Sequence, residues 1–282
     1  MKVLITGSHG FVGTNLIEAQ KGELEIILWD AKSFDPLPKC DAVIHLAGVA
    51  HDTMNVTAEE EYFKGNTELT KKIYIQFLKS SAKIFIFFSS IKARNNDTPY
   101  ARSKKAAEDY ILNTDFSQTD KNVYILRPCM IHGNGVKGNL PLLFKVVKKG
   151  WPWPLAVFEN QRSYASIGNV NFVVSGLLNR DVESGIYNIC DDEAVSTNEL
   201  IQLISEGIGR KCMMVRVPKG IVRLGANIGN WLHLPLNTER LEKLTGDCVV
   251  DNSKIKRALG IERMPVRATQ GMKFTIDEMI KG

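Results

Sequence analysis

The sequence predicts an α/β protein: a doubly wound parallel sheet with a smaller, mostly helical C-terminal lobe. Short apolar, β-branched and aromatic runs recur between helical patterns, as strands buried on both faces require. A glycine-rich turn separates the first such run from the first helix. The strand–helix alternation then breaks after Arg127-Pro128, where a Gly- and Asn-rich loop takes over. With 282 residues, 44% apolar and 24% charged, the chain can bury a sizeable core and is ordinary in composition.

Val3-Leu4-Ile5 reads as a buried strand ending in Thr6-Gly7-Ser8-His9-Gly10-Phe11-Val12-Gly13, with the helical pattern Thr14-Asn15-Leu16-Ile17 behind it. Glycines at that junction permit a tight turn and let backbone N–H groups approach a pyrophosphate. The unit is therefore expected to be Rossmann-type, with a dinucleotide as its ligand. The next strand, Ile26-Ile27-Leu28-Trp29, ends at Asp30, seventeen residues beyond Gly13. A carboxylate there accepts hydrogen bonds from the adenosine ribose. It also repels a 2′-phosphate by about 4 kcal/mol per unit-charge pair at ~4 Å. NAD is favoured over NADP, with Lys32 offsetting part of the repulsion.

Ten residues separate Asp30 from Asp41, too few for a further helix and strand, so a loop is expected there. Ala42-Val43-Ile44-His45-Leu46-Ala47-Gly48 reads as a third strand running into small residues, which suit a flat cofactor. His45 reads as a satisfied strand-end histidine, and His51 as a candidate lining residue of the substrate pocket. Asn66 stands before a helix ending near Leu78, as its cap or as a brace for the active-site helix.

Lys83-Ile84-Phe85-Ile86-Phe87-Phe88 is a fourth buried strand. It delivers Ser89-Ser90 to its carboxyl end, where ligands sit in open α/β sheets. Ten residues after Ser90, Pro99-Tyr100-Ala101-Arg102-Ser103-Lys104 opens a helix with Tyr100 and Lys104 on one face. A phenol beside an ammonium can exchange a proton with a sugar hydroxyl. Moving its pKa from 10 towards 7 takes roughly 4 kcal/mol, within reach of a nearby cation. Among seven tyrosines a chance Tyr-x-x-x-Lys is unremarkable; its place behind Ser90 marks it as a site.

Val123-Tyr124-Ile125-Leu126-Arg127-Pro128 is a fifth strand. A loop from Gly133 to a helix over 140–149 follows, then the Trp151-Pro152-Trp153-Pro154 turn. Gln161-Arg162-Ser163-Tyr164 precedes an apolar helix, and Gly185-Ile186-Tyr187-Asn188-Ile189-Cys190 closes the sheet. Residues 1–128 and 166–190 are expected to form the cofactor domain, and 129–165 and 191–282 the substrate lobe. Residues 221–236 are interrupted by Arg223, Asn227, Asn230 and His233. They are too short to span a bilayer and read as an amphipathic helix packed on its own protein, so no membrane insertion is expected.

A net charge of +5 suits an anionic ligand but is too small and dispersed for nucleic acid. Five scattered cysteines without a Cys-x-x-Cys favour reduced thiols in a cytoplasmic protein, and no metal-ligand spacing occurs. Met1-Lys2 leads straight into strand pattern, so no signal peptide is expected.

These residues together resemble the extended short-chain dehydrogenase/reductase family, in its nucleotide-sugar epimerase, dehydratase and ketoreductase branch. The glycine turn, Asp30, His45-Leu46-Ala47-Gly48, Asn66, Ser89-Ser90, Tyr100-x-x-Ser103-Lys104-x-x-x-Glu108 and Leu126-Arg127-Pro128 fall in family order. Asp251-x-x-Lys254 before Leu259-Gly260 matches its closing segment.

The resemblance implies that Tyr100 is the acid/base and that Lys104 lowers its pKa and holds the nicotinamide ribose. Ser90 would bond the sugar oxygen. Gly7, Gly10, Phe11, Val12, Gly13, Asp30, Leu46, Ala47, Gly48 and Asn66 would complete the NAD site. Asn139 and Arg162 would contact a UDP-sugar diphosphate.

Ile91-Lys92 replaces the carboxylate pair of the dehydratases and disfavours dehydration; Met130 and His132 replace the family's usual Asn and Tyr. The expected activity is 4-epimerisation of a UDP-hexose or UDP-N-acetylhexosamine in surface polysaccharide precursor synthesis. The alternative is 4-ketoreduction of a UDP-4-keto-6-deoxy-hexose or hexosamine. A non-catalytic NAD(H)-binding sensor or scaffold would be expected to lose Ser90, Tyr100 or Lys104, and this chain keeps all three. Family members commonly pair through helices of the first lobe, so a homodimer is expected.

Overall fold

A computed structural model of the chain describes residues 1–30, 36–50, 57–95, 97–115, 119–231 and 237–281. Lys32 and His51 lie outside them. The chain divides into two compact units. The first comprises Met1–Cys129, Asn169–Ile189 and Asn252–Arg263; the second comprises Met130–Gly168, Cys190–Asp251 and Met264–Gly282.

The first unit is built on strands β1 (Lys2–Thr6), β2 (Glu25–Trp29), β3 (Ala42–His45), β4 (Ile84–Phe88), β5 (Asn122–Pro128) and β8 (Gly185–Ile189). They form one parallel sheet in the order β2-β1-β3-β4-β5-β8, the Rossmann-type fold read from the sequence. After β1 the chain steps to one side as β2, then returns to the other side of β1 as β3. The carboxyl ends of β1 and β3 therefore flank a switch point, where open α/β sheets bind ligands. β2 is an edge strand with Leu28 55% exposed, as expected where the next helix and strand are trimmed away.

Helix α1 (Phe11–Ala19) follows β1. A helical segment then runs from α2 (Glu59–Tyr62) through a π-helical stretch, Phe63–Glu68, into α3 (Leu69–Lys79). α3 presents Ile73, Tyr74 and Phe77 to Phe85 of β4, with ring centroids 5.1 Å apart for both Tyr74–Phe85 and Phe77–Phe85. These residues, with Leu4, Val43, Phe87, Ala107 and Ile125, make the fully buried core beneath the site.

α4 (Pro99–Asn113) is well started: Pro99 occupies its first turn, and Thr98 Oγ1 caps it by accepting from the Ala101 N–H at 3.1 Å. Its buried residues Ala101, Lys104, Ala107, Glu108 and Ile111 recur at helical spacing, which turns Lys104 and Glu108 inward.

The second unit contains a small parallel sheet, β6 (Met130–His132) with β7 (Tyr164–Ser166), that sequence patterning did not reveal. Three-residue strands are too short to show a period. The helices are α5 (Asn139–Lys148), α7 (Thr197–Ile208), α8 (Lys219–Trp231), α9 (Thr238–Thr245) and α11 (Ala268–Lys281), while α6 (Ile167–Asn179) begins beside β7. α7 opens on a complete capping box between Ser196 and Glu199 and ends on Gly209 at φ +69°. α8 is the expected amphipathic helix, with more apolar side chains exposed than the pattern foretold. Only Val222, Ala226 and Gly229 are buried, while Ile221, Leu224, Ile228 and Trp231 are exposed.

The expected substrate lobe included residues 252–263; they pack in the first unit instead. α10 (Ser253–Ala258) buries Ile255, and Leu259 fills the space beside Gly176 of α6, where a Cβ would lie 2.7 Å from Leu259 Cδ2. Lys254 donates to the Ile186 carbonyl of β8 at 3.0 Å and covers the Tyr187 ring.

Candidate active site

The glycine turn at the end of β1 packs directly against the end of β3. Gly7 has φ +71°, and a Cβ there would lie 2.6 Å from the Ala47 nitrogen; one on Gly13 would lie 2.5 Å from the Gly7 oxygen. Gly10 is the N-cap of α1 and carries no side-chain cap, so Phe11 and Val12 begin the helix with backbone N–H groups available to an anion. Thr6 pairs with Trp29, which sets exposed Asp30 level with this turn. A dinucleotide fits such a cradle: the atoms closest to the Gly7, Gly10 and Gly13 positions are backbone, and an acid stands one strand away.

Leu46, Ala47 and Gly48 carry the chain from β3 to the second cluster. A Cβ on Gly48 would lie 2.5 Å from Asn66 Oδ1 and 3.4 Å from Lys104 Nζ, so the turn and the lysine are neighbours. Asn66, from the π-helical stretch, is fully buried. Its Oδ1 accepts from the Val49 N–H at 2.9 Å, and its Nδ2 donates to the Val49 carbonyl and to Ser103 Oγ at 3.0 Å. This is the bracing arrangement, tying the end of β3 to α4. A π-helical stretch carries an extra residue per turn and re-aims a side chain.

His45 supports the same brace. Thr70 Oγ1 donates its single proton to the Asn66 carbonyl at 2.5 Å, so it must accept from His45 Nε2, 3.0 Å away. His45 Nδ1 is then the acceptor of the Thr6 hydroxyl at 2.7 Å. Burial, and secondarily the Lys104 charge, pushes the imidazole pKa down to about 3. His45 is a neutral structural residue, as its strand-end position foretold.

Tyr100 and Lys104 come from α4, and Ser90 from the end of β4. Ser90 N-caps a short 3-10 turn (Ile91–Arg94), accepting from the Lys92 N–H at 3.3 Å. Its hydroxyl also hydrogen-bonds the Tyr100 phenol, and Tyr62 meets the Tyr100 ring edge-on at 5.9 Å. Burial raises the phenol pKa above its ordinary value; the Ser90 bond opposes this, and Tyr62 adds to it.

The expectation that Lys104 pulls this phenol down does not appear in that balance. Lys104 Nζ donates instead to the Phe88 carbonyl at 2.9 Å and sits 5.0 Å over the Phe87 ring. Four-residue spacing sets the shared face but not the direction of the ammonium. Burial lowers Lys104 to about 8, while Glu108 works against the drop.

Glu108 holds the cluster from behind, a role that motif reading quoted without explaining. Fully buried, it takes the Arg127 guanidinium on both oxygens, with Nε at 2.9 Å, and accepts from the Ser89 hydroxyl. It thereby locks α4 to the ends of β4 and β5. Its signal in the sequence was the four-residue step from Lys104.

In the second unit, Asn139 opens α5, half-buried, behind Gly138 at φ +92°. Arg162 donates to the Gly246 carbonyl at 2.7 Å and hydrogen-bonds Tyr164. His132 is buried, with Nδ1 2.9 Å from Thr275 Oγ1 and Nε2 3.4 Å from Asp191 Oδ2.

A family model described as the NAD dependent epimerase/dehydratase family matches residues 3–190. UDP-glucose 4-epimerase of Vibrio cholerae is 27% identical across 99% of this chain and 95% of its own length. The N-acetyl-alpha-D-glucosaminyl-diphospho-ditrans,octacis-undecaprenol 4-epimerase of Escherichia coli O157:H7 is 25% identical, over 79% of this chain and 77% of its own. Among solved structures, MoeE5 in complex with UDP-glucuronic acid and NAD has the same fold. It aligns with TM-score 0.76 and 18% identity over 100% of this chain and 99% of that one.

Proposed function

The chain belongs to the NAD dependent epimerase/dehydratase family, with NAD as its cofactor, and on that premise we propose a 4-epimerase of a UDP-hexose or UDP-N-acetylhexosamine. What supports this reading is the hydrogen bond between Ser90 and Tyr100, with Lys104 one turn along α4 and beside the Gly48 turn. NAD, when bound, exchanges a hydride with the sugar carbon. Gly7, Gly10, Phe11, Val12 and Gly13 hold its pyrophosphate and Asp30 its adenosine ribose. Leu46, Ala47 and Gly48 lie against it, Asn66 keeps that wall in place, and Lys104 binds the nicotinamide ribose.

Tyr100 takes the proton of the C4 hydroxyl and returns it, while Ser90 donates a hydrogen bond to the sugar oxygen as charge develops there. Asn139 and Arg162 take the diphosphate. Residues 1–128 and 166–190, joined by 252–263, serve the cofactor, and the remainder the sugar nucleotide. Five free thiols support a cytoplasmic setting, and exposed Ile75 on α3 and Leu112 on α4 support pairing of two copies through these helices.

The burial that holds a proton on Tyr100 suits donation to a ketone, and so supports the 4-ketoreductase as the alternative reading. Mass spectrometry of cofactor released from the purified protein, followed by a panel of UDP-sugars, separates the two. Tightly held NAD and interconversion of C4 epimers without added cofactor are expected. Stoichiometric consumption of added NADH or NADPH on a 4-keto sugar would replace the epimerase by the reductase.

A further inference from the structure

A chain of hydrogen bonds runs in one direction from the Leu46-Ala47-Gly48 wall to the first turn of α4. The Ala47 N–H donates to Thr6 Oγ1 at 3.2 Å, and the Thr6 hydroxyl gives its proton to His45 Nδ1 at 2.7 Å. His45 Nε2 donates to Thr70 Oγ1 at 3.0 Å, and Thr70 Oγ1 to the Asn66 carbonyl at 2.5 Å. From the side chain of the same asparagine, Nδ2 donates to Ser103 Oγ at 3.0 Å, and Ser103 Oγ donates to the Tyr100 carbonyl at 2.9 Å. The Thr6, Thr70 and Ser103 hydroxyls each accept one of these bonds and spend their only proton on the next group, so no link can reverse by itself.

Thr6, His45, Asn66, Thr70 and Ser103 are all wholly buried. Apolar side chains of the same shape would fill this space about as well, because replacing both partners of a buried hydrogen bond is close to neutral. What a fully satisfied polar chain adds is one fixed arrangement of the elements it joins. Here it joins the ends of β1 and β3, where Gly7 packs against Ala47, to the backbone of Tyr100. The Glu108–Arg127 pair grips α4 two turns further on. His45 suits its place as a link because its pKa of about 3 keeps Nδ1 an acceptor at neutral pH. At the far end, the Tyr100 phenol meets the Ser90 hydroxyl.

We propose that Thr70 and His45 are positioning residues of the reaction: the chain they complete sets the first turn of α4 against the cofactor wall and so holds the Tyr100 phenol on the Ser90 hydroxyl. Both act through Asn66 and Ser103. Misplacing a reacting group by ~1 Å can cost about 10²-fold in rate, so a brace of this kind bears on turnover more than on binding. The inference rests on the assignment of proton transfer to Tyr100.

Thr70→Val keeps the shape of the side chain and takes away the acceptor of the His45 N–H. The purified holoenzyme should keep wild-type NAD content and a KM for its UDP-hexose within about twofold, with kcat lower by about tenfold or more. Amide hydrogen exchange should quicken in the first turn of α4 and stay unchanged in the glycine turn. Thr70→Ser restores the hydroxyl and should recover both kcat and protection. Ser103→Ala cuts the last link and should give the same split if Thr70→Val does not fold. Wild-type kcat in either folded variant, NAD lost in step with kcat, or a loss that Thr70→Ser does not repair overturns the proposal. So does unfolding of both variants, which would make the chain a requirement of the fold alone. Full turnover by Tyr100→Phe would instead overturn the acid/base assignment beneath the proposal, and the exchange pattern, read without the reaction, keeps the two failures apart.

Discussion

Lys104 carries an ammonium to a place only 6% exposed, and its pKa falls from 10.5 to about 8. A displacement of that size is about 3 kcal/mol against the folded state while the group is charged. Lys104→Met should therefore raise stability by about 2–3 kcal/mol at pH 7 while abolishing turnover. The unfolded chain binds the extra proton between pH 8 and 10.5, so wild-type stability should climb towards that of the variant across this window. Denaturant titrations at pH 7 and 10 read both.

Asp30 makes its own test. Asp30→Ala should weaken NAD and narrow its advantage over NADP in binding titrations, and an unchanged ratio would assign the choice to other groups. The Tyr100–Lys104 pairing was legible because four residues make one helical face. The tip of Lys104 was not, because a carbonyl on β4 sets its direction.

At the scale of elements, the end of each central strand delivers one part of the site: β1 the glycine turn, β3 the small-residue wall, β4 Ser90. Apolar runs ending in small or hydroxyl residues made this readable. What holds the parts together was less so, because Glu108, Arg127 and Ser89 are distant in sequence and meet only when α4 lies across β4 and β5. Glu108→Ala leaves the Arg127 guanidinium largely buried without its carboxylate, at a cost of about 3–5 kcal/mol. Urea unfolding should show that loss. Less than about 1 kcal/mol would mean that the pair is not the lock between helix and sheet. The π-helical stretch at Asn66 left no sequence signal, since one extra residue in a turn does not disturb an apolar pattern this short.

For the whole molecule, the parallel order of the sheet followed from alternation and length, and the helical second unit from where alternation stopped. The return of residues 252–263 to the first unit was hidden because Ile255 and Leu259 look like any amphipathic helix until Gly176 makes room for them. α8 is amphipathic and buries Val222, Ala226 and Gly229 as expected, but its exposed apolar residues were not foreseen. Periodicity reports that a helix is amphipathic, but not which of its apolar residues the fold leaves uncovered.

The function proposed for the molecule rests on proton transfer by Tyr100 beside bound NAD. Its most direct test is Tyr100→Phe, with cofactor content and turnover of a UDP-hexose measured on the same preparation. NAD content equal to wild type with turnover lower by about 10²-fold or more is expected. Turnover near the wild-type rate in that variant would contradict it.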